Sequence, residues 1–253
     1  MSKRPGPEST LDDVRDQLVT AAVEAIERVG VDVGLDHIKL ADVIEAAGVG
    51  RSTAYRSLAD DELAPQEVLH RELLAQILGR HHRRTNLSIV TAAAMDELAR
   101  QQTNLDSGDP ELRAVAIRAL IRVGSEASYN EVVASTERAI LISSYGALRS
   151  SSTRDWRHDA LTRGEEVLAT LFGELYAGLS EIVGYQLRAG LKMEQFSTAI
   201  AALLEGLAMR EGFSEHLAGI ERPTGPNGES EPWTLFAIGF EGLYSVFFEP
   251  RPE

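Results

Sequence analysis

Arg51, Ser52, Tyr55 and Arg56 fall within six positions of one another, and all four can donate hydrogen bonds to nucleic acid. Arg51 and Tyr55 are four apart, and so are Ser52 and Arg56. On a helix such spacings form adjacent rows of one face. Guanidinium forks and hydroxyls suit phosphate oxygens and base edges. Arg51 and Ser52 would lie in the first turn, the part of a recognition helix that reaches bases. Lys39, further upstream, fits a phosphate contact. Nothing comparable supports catalysis. The chain has no Gly-rich phosphate loop, no His-Glu-x-x-His, no Gly-x-Ser-x-Gly and no cysteine. His158 beside Asp159, and Glu165 beside Glu166, read as neighbours on a polar helix start. The reading is therefore of a protein that is not an enzyme and uses no cofactor and no metal.

The elements that must position these donors can be read from the same stretch, His37 to Leu58. Leu40, Val43, Ile44 and Ala47 keep one helical stripe. Gly48 follows where a helix end needs a left-handed residue. Val49 can then return to the core. A second helix can start at Gly50, a permitted N-cap. In it Ala54 and Leu58 share a buried side, opposite the polar face. Two helices joined by a short glycine turn describe a helix-turn-helix.

The segment Gly48-Val49-Gly50-Arg51-Ser52-Thr53-Ala54-Tyr55-Arg56-Ser57-Leu58 resembles the recognition-helix signature of the tetracycline-repressor (TetR) family, roughly Gly-Val-Ser-x-x-Thr-aliphatic-Tyr-x-x-Phe. Gly50 replaces the usual serine N-cap and Leu58 the usual Phe; neither change touches the exposed face. The resemblance is specific over about residues 11–75. It implies that Thr53, Tyr55 and Arg56 touch the DNA backbone. It further implies a helical effector-binding domain after the linker and a homodimer built from the last helices.

Composition sets the bounds. The 253 residues allow one large domain or two smaller ones. No stretch approaches the roughly 20 apolar residues of a membrane span. Met1–Thr10 lacks the apolar region of a signal peptide, which makes the cytoplasm the expected compartment. The formal net charge is −14, against indiscriminate nucleic-acid binding. Residues 1–84 carry 11 basic and 15 acidic side chains, whereas the His37–Leu58 window has three basic and two acidic. Recognition must rest on the arrangement of donors rather than on bulk charge.

The expected fold is all-α: an N-terminal arm and three-helix helix-turn-helix domain over 1–62, and a larger helical ligand-binding and dimerisation domain over 63–253. Lys3 and Arg4 could serve as a basic arm. The first helix spans Leu11–Val29, capped by Thr10 and closed by Gly30. A long helix spans Pro65–Arg84, ending in His81, His82, Arg83 and Arg84, cations that complement its dipole. Further helices are expected at Ser88–Asn104, Pro110–Glu126, Tyr129–Ser150, Leu161–Ala189, Met193–Gly219 and Trp233–Phe248. Breaks fall at Asp106–Pro110, Ser150–Thr153, Gly190 and Pro223–Pro232, with no strand alternation of useful length.

Tyr145, Phe172 and Tyr176 are candidate linings of an effector cavity. Arg118, Arg122 and Arg138 could meet an anionic effector. The last helix is apolar on two faces, which calls for a second partner. Candidate dimer residues are Phe196, Leu203 and Leu207, with Phe236, Phe240, Leu243, Tyr244 and Phe247. The sequence therefore reads as a ligand-responsive transcriptional repressor that binds an inverted-repeat operator as a homodimer. The alternatives are a helical ligand-binding or adaptor protein with a vestigial DNA head, and a small all-α enzyme.

Overall fold

A computed structural model describes residues 10–29, 35–84, 87–149, 155–224 and 229–252, the side chains of 29, 81–84, 87, 136 and 146–149 excepted. The elements in order are α1 (Leu11–Val29), α2 (Leu40–Ala47), α3 (Arg51–Ser57), α4 (Pro65–Arg84), α5 (Leu87–Arg100), α6 (Gln102–Asp106), α7 (Pro110–Ala134), α8 (Thr136–Arg149), α9 (Trp156–Ile182), β1 (Tyr185–Leu187), α10 (Met193–Ala208), β2 (Ile220–Pro223), β3 (Ser230–Trp233), α11 (Leu235–Phe247) and β4 (Phe248–Pro250). The fold is helical, with an N-terminal helix-turn-helix followed by a larger helical region. Two short antiparallel ribbons, β1 with β4 and β2 with β3, add to the all-α expectation. The postulated arm residues Lys3 and Arg4, the closing Gly30, the Ser150–Thr153 break and the side chains of His81, His82, Arg83 and Arg84 lie outside the described residues.

The chain packs as two compact units, and the division does not follow the expected boundary at 62/63. One unit holds α1–α4, α8 and α9 up to Gly164; the other holds α5–α7 and everything described from Glu165 onward. In the first unit, Leu18, Ala22 and Ile26 of α1 meet Val43 of α2, Ala54 of α3 and Leu69 and Leu73 of α4 in one apolar cluster. Thr10 caps α1 reciprocally: Asp13 N–H donates to Thr10 Oγ1 at 3.1 Å, and Thr10 N–H to Asp13 Oδ2 at 2.8 Å. Pro65 stands at the first position of α4, as its fixed φ and missing N–H favour.

From α7 onward several expected boundaries move. The break at Glu126–Tyr129 does not occur. α7 runs through it to Ala134 and stops where Ser135 turns extended. The helix expected from Leu161 begins at Trp156 and ends at Ile182, because Gly184 takes φ +77° and releases Tyr185–Leu187 to pair with the chain's end. The helix from Met193 ends at Ala208, short of Gly219. Trp233 belongs to β3 and is 1% exposed. Its indole N–H donates to Thr224 Oγ1 at 3.1 Å, while the Arg222 guanidinium lies 4.5 Å from its ring centre.

Candidate nucleic-acid interface and apolar cavity

The turn between α2 and α3 forms as its glycines dictate. Gly48 has φ +65°, its N–H donates to Glu45 O at 3.1 Å, and Val49 N–H donates to Ile44 O at 3.3 Å. These paired bonds close the helix in a Schellman arrangement. Gly50, at φ −63° and ψ 131°, caps α3 with its carbonyl, which accepts from Thr53 N–H and Ala54 N–H at 2.9 and 3.0 Å. It has no side chain to bond the free N–H groups of the first turn.

α3 is held on one side and open on the other. Ala54 and Leu58 are fully buried, and Ser57 is buried beside them. Arg15 of α1 donates from Nε and Nη2 to the Ser57 carbonyl at 2.8 and 2.6 Å, a charged fork on the last turn of α3. Arg51, Ser52, Tyr55 and Arg56 are exposed, and Thr53 is half-buried. Among the described residues neither Arg51 nor Arg56 forms an ion pair. Arg51 approaches the Tyr55 ring at 6.0 Å from its centre, which ties these two residues of the face together. Lys39 stands just ahead of α2, exposed, with its ammonium donating to Asp36 O at 2.5 Å. That leaves two of its three donors for another acceptor.

The start of α2 is fixed from α4. Gln66 Oε1 accepts Leu40 N–H at 2.7 Å, and Gln66 Nε2 donates to Ile38 O at 2.7 Å. His70 Nε2 lies 2.9 Å from the same carbonyl, and the ring is 3% exposed. Burial holds its imidazole pKa below the ordinary value, so the ring is neutral at neutral pH. Sequence reasoning misses Arg15, Gln66 and His70, because each acts across 26 to 42 residues on a backbone group that no motif marks.

The second unit contains a cavity of about 70 Å³ walled by α5, α7, α9 and α11. Of the expected effector residues only Tyr176 lines it. Phe172 stacks on Tyr176 at 5.8 Å between ring centres without reaching the space. Tyr145 belongs to the first unit, packed against its apolar cluster. Arg118 is half-buried on α7 but not in the lining, Arg122 pairs with Glu231 at 3.1 Å, and Arg138 lies on α8 of the first unit. The helical spacing of Arg118 and Arg122 turns them away from the cavity wall formed by α7.

The dimer assignment needs a correction at two positions. Phe196 and Phe236 are 0% and 1% exposed within the chain itself and have no surface to offer a partner. Phe240 and Tyr244 face the cavity and pack with Phe196. Leu203, Leu207, Leu243 and Phe247 are half-buried.

No protein-family model matches the chain, and no curated protein matches it. Among solved structures, the fold is similar to the crystal structure of "a putative transcriptional regulator from Rhodococcus sp. RHA1", with a TM-score of 0.52 and 17% identity; the match covers 79% of this chain and 87% of that one. The likeness is one of fold. Among the described residues, no helix is long and apolar enough to cross a membrane.

Proposed function

We propose that this chain is a sequence-specific DNA-binding regulator of transcription that resembles the TetR family, acting as a homodimeric repressor of an inverted-repeat operator and responding to a small molecule. The carrying observation is the asymmetry of α3. Ala54, Leu58 and the Arg15 fork hold its back, while Arg51, Ser52, Tyr55 and Arg56 face outward with no acidic partner among the described residues. A rigid scaffold presenting unpaired donors suits base readout. The fold likeness to a protein described as a transcriptional regulator supports the same reading.

Arg51 and Ser52 read base edges in this proposal; Lys39, Thr53, Tyr55 and Arg56 hold phosphates. The net charge of −14 keeps non-specific affinity low, so two heads must act together. Leu203, Leu207, Leu243 and Phe247, with Val246 at 61% exposure, are apolar positions on and beside α11 that could pair two chains. Half-sites would lie about 34–36 Å apart or a small multiple of that.

Selection of bound sequences from random DNA tests the proposal. A two-fold symmetric sequence is the expected enrichment. Arg51→Ala should weaken that site by about 1–3 kcal/mol and relax one base position. Failure of the full chain to enrich any sequence refutes the regulator reading.

A further inference from the structure

We infer that the cavity of the second unit receives a small, uncharged and mostly apolar molecule bearing one hydrogen-bonding oxygen, and that the effector of the proposed regulator belongs to this class. The inference rests on the ligand-responsive reading for its regulatory meaning, but its chemistry comes from the cavity wall alone.

None of the cavity's lining side chains is charged. A carboxylate placed there would lose its water and meet no cation, a cost that excludes anionic ligands. The chain's net charge of −14 acts in the same direction. Apolar contact is ample. Ile117 and Ile121 of α7, Leu179 of α9 and Phe240 of α11 supply it.

On the α7 wall, polarity gathers at one end, at Ser125 and Ser128, while Tyr176, Ser180 and Tyr244 bring hydroxyls from α9 and α11. Ile117, Ile121 and Ser125 follow one another four apart along the helix, so the wall passes from methyl groups to a hydroxyl over about 12 Å at 1.5 Å per residue. Ser125 is 3% exposed and its Oγ is buried with no hydrogen-bond partner among the described residues. An orphaned buried hydroxyl calls for an explanation, and a ligand oxygen beside it supplies one. The other nearby hydroxyls differ. Tyr244 donates to Ser180 Oγ at 3.3 Å, and burial raises the Tyr244 pKa to about 12. Burial raises the Tyr176 pKa as well, so that hydroxyl remains a neutral donor.

Gly124 keeps the space open. A Cβ built on it would meet nothing within 4 Å. An alanine at this helical position would favour the helix by about 1 kcal/mol, so the glycine has no local helical benefit. The volume bounds the occupant. About 70 Å³ is roughly half of an apolar cavity known to take benzene, near 150 Å³. A single-ring ligand therefore enters only with displacement of the cavity walls.

The test uses the full chain with phenol, toluene and benzoate as probes, followed by saturation-transfer NMR and thermal shift. Phenol and toluene should bind saturably, with benzoate at least about tenfold weaker, given the cost of an unpaired buried charge. Ser125→Ala should weaken phenol by about 2–12-fold, the worth of one hydrogen bond, and leave toluene unchanged. Gly124→Leu should abolish binding of both while retaining its helical circular dichroism. Gly124→Ala, which adds one methyl group to an open position, should weaken phenol and provides the same check should the leucine variant fold poorly. Benzoate binding as well as phenol, or phenol binding unchanged in both Gly124 variants, overturns the inference. Phenol binding without any enriched DNA sequence sinks the regulator reading and leaves the chemistry of the cavity standing. An enriched operator with no phenol or toluene binding overturns this inference alone.

Discussion

Gly48 and Gly50 stand two residues apart in the helix-turn-helix, and the structure assigns opposite outcomes to replacing them. Gly48 has φ +65°, and a Cβ added there would have no atom within 4 Å, so Gly48→Ala meets backbone strain and no clash. The left-handed conformation costs about 1–2 kcal/mol for an L-residue. The stiffer unfolded chain returns about 0.4–1 kcal/mol. The net expectation is a loss of about 1 kcal/mol. Gly50 has φ −63° and ψ 131°, which any L-residue adopts, and its Cβ would lie 3.8 Å from Thr53 Oγ1. Gly50→Ser gains the same unfolded-state effect and a few tenths of a kcal/mol from a true N-cap, a net gain of about 1 kcal/mol. The two variants should therefore differ by about 2 kcal/mol, roughly thirtyfold in the folding equilibrium of the first unit. Hydrogen exchange of peptides from α1 to α4 across a urea series reads that unit by itself. Shifts of the same sign in both variants would refute the turn geometry, and so would a Gly50→Ser variant less stable than the parent.

Three further outcomes follow from particular contacts. Arg15→Ala should cost about 1 kcal/mol, after allowance for solvent at this half-exposed side chain, and should weaken DNA binding through the loosened end of α3; Arg15→Lys should recover part of both, as read by urea titration and gel shift. Burial lowers the His70 pKa in the folded chain, so its contribution to stability is present above pH about 6.5 and lost as pH falls through the folded value, by at most about 1.4 kcal/mol per pH unit. His70→Gln should flatten that part of the pH–stability curve. A Cβ on Gly239 of α11 would come within 2.6 Å of Leu203 Cδ2; Gly239→Val should cost about 1–3 kcal/mol, and Leu203→Ala should restore part of it in thermal melts.

The reading head is legible in the sequence because its determinants are local. The stripe Leu40, Val43, Ile44 and the left-handed glycine after it lie within nine residues, and each acts on its neighbours. The exposure of Arg51, Ser52, Tyr55 and Arg56 follows from the burial of Ala54 and Leu58 on the opposite side. What holds the head is not legible. Arg15 and Gln66 act on carbonyl and amide groups, and backbone groups are alike in every sequence. The break expected at Glu126–Tyr129 fails for a related reason. No proline or glycine lies between Glu126 and Tyr129, and Tyr129 is buried with its hydroxyl bonded to Glu211, so packing carries α7 past the possible cap Ser128.

The last helix shows that an apolar pattern reports a need for cover without naming the partner. α11 is apolar on two faces, and the sequence reading gives one face to a second chain. The chain covers much of that face itself. Phe248, expected to continue the helix, turns extended at ψ 154° and enters β4, where it pairs with Leu187. Its ring stacks on Tyr244 at 4.5 Å and meets Phe196 edge-on at 5.0 Å. Tyr176 and Phe240 stand edge-on to Phe196 at 5.2 and 5.6 Å, closing one aromatic cluster inside the unit. Helical periodicity reports that a face needs cover and is silent on which chain supplies it. The same cluster explains the cavity. Phe236, Phe240 and Tyr244 recur four apart on α11 and wall the space on that side, while Phe196 supports them from outside it. Three residues that the sequence assigns to holding two chains together, Phe236, Phe240 and Tyr244, therefore line an apolar cavity, and the leucines around them, Leu203, Leu207 and Leu243, are half-buried. In the proposed function ligand and dimer would share α11, so an occupant that displaces Phe240 would act on the pairing surface proposed there.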